Sequence, residues 1–113
     1  MPRTVSRTDL EAALAGRSAT VVDALPAPAF ARRHIPGAVN LVEEEADRAA
    51  ADVLPDRSAT VIVYSTDAGC SRGPGLARHL ETLGYDDVLL YAQGIEDWVR
   101  AGLPVEKSDD DGS

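Results

Sequence analysis

A chain of 113 residues, 44% hydrophobic and 27% charged, has the size and make-up of one globular domain with a single core. Its formal net charge of −8 argues against nucleic acid as a partner, since that demands a basic face, and solubility is the simplest reading of the acidity. No apolar run approaches the ~20 residues that span a membrane, so no membrane partner is expected.

The opening Met1-Pro-Arg-Thr-Val-Ser-Arg7 lacks the apolar core of a signal peptide. Ser6-Arg-Thr-Asp9 reads as a capping box, with Ser6 as N-cap. Leu10, Ala13 and Leu14 give the helix that follows an apolar face, and Gly16 is expected to end it. Thr20-Val-Val-Asp23 is a short strand ending in a carboxylate, whose expected task is to order the next turn. Two prolines, Pro26 and Pro28, precede a turn or two of helix to Arg33. His34-Ile-Pro-Gly-Ala38 is a turn punctuated by Pro36-Gly37, and Val39–Leu41 a brief strand. Glu43 to Ala51 is a charged, alanine-rich helix, most simply a solvated outer face.

The next stretch organises the rest. Val61-Ile-Val-Tyr64 is a β-branched, apolar run that predicts a buried strand. Ser65 to Gly73 is a polar, small-residue loop, and Pro74 suits the first turn of a helix carrying Leu76, Ala77, Leu80 and Leu83. Cys70, the only cysteine, thus lies near a helix N-terminus, where free N–H groups and the helix dipole favour a thiolate or a bound anion. A lone cysteine is more often a small buried hydrophobe, but Ala68-Gly69-Cys70-Ser71-Arg72-Gly73 offers nothing bulky to bury it against. It cannot form an internal disulfide, which fits a reducing cytoplasm. No Cys/His cluster has metal-ligand spacing, and neither metal nor cofactor is expected.

Beyond that helix, Gly84-Tyr85 makes a cap and turn, Val88–Tyr91 a second buried strand, and Gln93-Gly94 another turn. Ile95 to Gly102 is a short helix with Ile95, Trp98 and Val99 facing inward, and Leu103-Pro-Val105 closes the domain at 1–105. Residues 106–113 are expected to form a disordered acidic tail. Strands alternating with helices imply a parallel-rich α/β sheet, with ligands beyond the carboxyl ends of its strands.

Val22-Asp23, His34-Ile-Pro-Gly-Ala-Val-Asn-Leu41, the Val61–Tyr64 strand with its cysteine loop, Leu80-Glu-Thr-Leu-Gly-Tyr85 and Gly94-Ile-Glu-Asp-Trp-Val-Arg-Ala-Gly-Leu-Pro-Val105 together resemble the single-domain rhodanese family over about residues 5–105. The resemblance implies a three-layer α/β sandwich around a parallel sheet of about five strands. It also implies a sulfurtransferase: a loop cysteine takes sulfane sulfur from a small anionic donor such as thiosulfate and passes it to cyanide, a thiol or a protein acceptor. In the family pattern the cysteine directly follows the strand's tyrosine, and an arginine comes five residues later. Here those positions hold Ser65 and Cys70. Some similar members carry two cysteines in a longer loop, and this chain keeps the second.

Catalysis is therefore expected of Cys70, with Arg72 attracting the donor and lowering the thiol's pKa. Pairing of Arg72 with Asp67 is the competing reading. The loop amides from Ala68 to Gly73, including Gly69 and Ser71, are expected to hold the persulfide's charge. Ser65 either donates into that cradle or fills space. A binding or regulatory module without turnover is the alternative function. A phosphatase cradle, Cys-x5-Arg, is disfavoured because Leu76 stands where the arginine belongs. The sequence does not set the oligomeric state.

Overall fold

The computed structural model describes residues 2–108. Its strands are β1 (Arg3–Thr4), β2 (Thr20–Asp23), β3 (Val39–Asn40), β4 (Thr60–Tyr64) and β5 (Asp87–Tyr91). Its helices are α1 (Arg7–Gly16), α2 (Ala27–Arg32), α3 (Ala46–Val53), α4 (Arg72–Thr82) and α5 (Gly94–Arg100). The strands form one sheet in the order β1-β5-β4-β2-β3, and every pairing is parallel.

Alternation along the strands sorts the core into two layers. Val61 and Val63 of β4 face the side covered by α3 and α4, with Val22, Leu76, Leu80, Val88 and Leu90. Ile62 and Tyr64 face the side covered by α1, α2 and α5, with Leu10, Val21, Tyr91, Ile95 and Trp98. A sheet covered on both faces needs near-continuous apolar strands, which is why β4 reads Thr-Val-Ile-Val-Tyr. Each large side chain so buried contributes about 1.5–3 kcal/mol.

Local signals place most helix ends. Ser6 caps α1, its hydroxyl accepting the Asp9 N–H at 3.0 Å. Gly16 is the last helical residue, however, and Arg17 takes the left-handed turn at φ 52°. The Glu43 segment also departs from expectation. It opens as a 3-10 turn over Glu43–Glu45, and α3 then runs to Val53 with Ala46 and Ala50 buried against the sheet. Alanine there serves close packing as well as helix propensity. β1, unforeseen in the sequence, is only two residues long and pairs Arg3 and Thr4 with Leu89 and Leu90.

The C-terminal boundary lies further on than expected. His34 and Glu106 exchange backbone hydrogen bonds at 2.9 and 2.8 Å, and the Ser108 N–H donates to the Ala31 carbonyl. Residues 106–108 are thus tied to the body of the domain, and the rest of the expected tail, 109–113, lies outside the described residues. No helix among the described residues is long and apolar enough to cross a membrane.

Candidate active site

β4 sits in the middle of the sheet, so the loop leaving Tyr64 emerges centrally at its carboxyl edge. The first loop residue, Ser65, is buried, and its hydroxyl accepts the Gly73 N–H of α4 at 3.1 Å. Gly73 has to be glycine here: a Cβ would stand 2.8 Å from the Ser65 Oγ. The other side of the loop is held by α5. The Ile95 N–H donates to the Ser65 carbonyl at 2.9 Å and the Glu96 N–H to the Thr66 carbonyl at 3.0 Å. Gly94, at φ 71°, lets the backbones meet, since a Cβ would come within 2.5 Å of the Thr66 carbonyl.

Cys70 turns back toward this pinned start of the loop. Partial burial pushes its thiol up. The Ser65 hydroxyl, the Thr66 N–H, the Arg72 N–H and the Thr66 hydroxyl outweigh that and leave it below its ordinary value. Cys70 is half-buried and makes no disulfide.

Two of the amides expected in the cradle are engaged elsewhere. The Gly69 N–H is taken by the Asp67 carboxylate at 3.0 Å, and the Gly73 N–H by Ser65. Ser65, Thr66 and Arg72 act on the Cys70 thiol. Arg72 contributes through its backbone. Its guanidinium lies 3.5 Å from Glu44, a partner other than the Asp67 anticipated, and so it is partly neutralised. Thr66 went unremarked in the sequence. Its signal was position: it follows the end of a central parallel strand by two residues, where such sheets bind ligands.

A buried network supports the site from below. Tyr64 donates its hydroxyl to Asp23 Oδ2 at 2.7 Å and accepts the Ile35 N–H at 3.0 Å. Asp23 Oδ1 accepts the Leu25 N–H at 2.8 Å, the turn-ordering task expected of it. Burial raises the Asp23 pKa against the opposing pull of Tyr64, Leu25 and His34.

The profile of the rhodanese-like domain matches residues 6–101, a span that takes in every helix and four of the five strands. The chain belongs to the rhodanese-like domain family. This rhodanese-like domain is 32% identical over 104 residues to the HTH-type transcriptional regulator Rv0324 of Mycobacterium tuberculosis, an alignment covering 91% of this chain and 44% of the relative. The chain therefore spans under half the length of that curated relative. Among solved structures, the thiosulfate sulfurtransferase from Pseudomonas aeruginosa superimposes with a TM-score of 0.81 at 29% identity, over 94% of this chain and 20% of that one. The BH2092 protein from Bacillus halodurans does so with a TM-score of 0.84 at 23% identity, over 94% of this chain and 77% of that one. The expected sandwich around a five-stranded parallel sheet is thus present, and its fold is that of sulfurtransferases.

Proposed function

We propose that this rhodanese-like domain transfers sulfane sulfur, with Cys70 as the carrier. The observation that carries the reading is the position of Cys70, half-buried in the loop that leaves the central strand, where Ser65, Thr66 and Arg72 draw its thiol below the ordinary value. A depressed pKa makes more thiolate at neutral pH than a free cysteine, of pKa about 8.5, would supply.

The chemistry follows as a ping-pong exchange. The Cys70 thiolate attacks the outer sulfur of thiosulfate. The donor's S–S bond breaks, sulfite leaves with the electron pair, and a persulfide remains. The same groups hold the outer sulfur's charge. An acceptor thiolate, small or on a protein, then attacks that sulfur and frees Cys70. A serine at position 65 cannot carry sulfur itself, but its hydroxyl stabilises the thiolate that does. A reducing compartment such as the cytoplasm suits the reaction, because the acceptor has to remain a thiol.

Intact-mass measurement after incubation with thiosulfate tests the proposal. One added sulfur is expected, removed by excess thiol and absent from Cys70→Ser. A second reading, a binding or regulatory module, draws on Ser65 standing directly after the strand and on the regulator Rv0324 as a relative. A folded protein that takes up no sulfur would support that module and overturn the enzyme.

A further inference from the structure

A cavity of about 310 Å³ lies beside the Cys70 loop. Leu25, Ala29, Arg32 and Arg33 wall it from the β2–α2 side, and Thr66 and Ile95 from the other. β2 and β4 are neighbours in the sheet, with β3 outside one and β5 outside the other. The cavity therefore opens where the direction of strand order reverses, the place at which open parallel sheets receive ligands. Thr66 joins the two places: it lines the cavity and belongs to the loop that carries Cys70 four residues further on. Larger hollows of about 600, 530 and 350 Å³ do not have Thr66 in their walls, although Arg32 also borders the one of 530 Å³.

The charges here are uneven. Arg33 is committed to Glu96 at 2.5 Å. Arg32 is exposed and makes no ion pair among the described residues. In a chain of net charge −8, a cation with no ion pair among the described residues, in the wall of a cavity that Thr66 of the Cys70 loop also lines, is the local feature that draws an anion in. Arg72 is less suited, since Glu44 stands against it. The remaining walls, Leu25, Ala29 and Ile95, are aliphatic. The volume is at the lower end of small-molecule sites, about 300–1,000 Å³, and exceeds the needs of a bare inorganic anion.

We propose that this cavity is the subsite of a carboxylate-bearing aliphatic thiol that acts as sulfur acceptor. Its carboxylate pairs with Arg32, its stem lies on the aliphatic walls, and its sulfur passes Thr66 to reach Cys70. The assignment rests on the sulfur-transfer reading above. The transfer balances without a further reagent. The acceptor thiolate attacks the outer sulfur of the Cys70 persulfide, and a new S–S bond forms as the old one breaks. The electron pair returns to Cys70 as thiolate, and the acceptor departs as its own persulfide.

The test uses disulfide exchange, which needs a thiolate but no sulfane sulfur. The rate of mixed-disulfide formation at Cys70 is measured by intact mass with dithiodipropionate, which carries carboxylates, and with neutral hydroxyethyl disulfide. The wild type should prefer the carboxylate reagent. Arg32→Gln should lower the ratio of the two rates about tenfold, the loss of one charge-assisted contact. Arg48→Gln removes the same charge from α3 and should leave the ratio unchanged. An unaltered ratio in Arg32→Gln, or an equal fall in Arg48→Gln, overturns the subsite. If thiosulfate loads no sulfur while the ratio still falls only in Arg32→Gln, the transferase reading fails and the carboxylate site stands. If loading succeeds and the ratio does not fall, the reverse holds.

Discussion

Ser65 uses one oxygen twice. It accepts from Gly73, which orients the hydroxyl, and it is the foremost of the groups that draw the Cys70 thiol down. Ser65→Ala removes both. The Cys70 pKa should rise, because the side-chain donor that favours the thiolate is gone while burial still favours the thiol. Alkylation by iodoacetamide followed against pH should show a midpoint shifted upward, and a rate at neutral pH lower by roughly fivefold, the worth of about 1 kcal/mol. Orphaning the Gly73 N–H should also cost about 1–3 kcal/mol in stability, read from denaturant unfolding. An unchanged midpoint would mean that Thr66 and the Arg72 N–H suffice. The placement of Cys70 in a loop between a buried strand and a helix was legible in the residues. The loss of Gly69 and Gly73 to other acceptors was not, because a loop's internal hydrogen bonds depend on where its carboxylates and hydroxyls fold back.

The decisive element is α5, which begins at Gly94 and fastens the Ser65–Thr66 backbone with its first free N–H groups. Helix starts leave such donors unpaired, so α5 and the loop satisfy each other. Gly94→Ala would force a side chain onto the Thr66 carbonyl at a positive φ. A loss of about 3 kcal/mol is expected, visible as a fall in Tm of roughly 10 °C. Where enough protein remains folded, the Cys70 thiol should alkylate more slowly as well. A Tm within a degree or two of the wild type would show that the junction yields easily. β2, β4, β5 and α5 were readable from apolar runs and glycine punctuation. β1 was not, since two residues of charge and hydroxyl carry no periodicity and become a strand only because β5 offers an unpaired edge.

Across the whole molecule, the Asp23–Tyr64 pair ties two central strands to the turn at Ile35. The folded-state pKa of Asp23 is raised, so its contribution is greatest in acid and declines as pH climbs through that pKa. Tyr64→Phe takes away the donor that best tolerates the charged form. The folded pKa of Asp23 should climb further, and the variant should be less stable by about 2–3 kcal/mol near neutrality. The gap from the wild type should narrow as the pH is lowered and Asp23 becomes protonated. Thermal melts from acid to neutral pH check the sign, and a gap that widens in acid would refute it. The sequence marked Asp23 as a turn-former. It could not disclose the tyrosine partner, because Asp23 and Tyr64 meet only through the register of β2 with β4.

The fastening of the loop by Ile95 and Glu96 also sets a schedule. A chain emerging from the ribosome exposes Cys70 some twenty-five residues before those two amides follow it out. Until they arrive the Ser65 and Thr66 carbonyls lack the two donors that hold them in the finished domain. The loop that leaves the central strand is thus fixed at its start only once the last helix has been made.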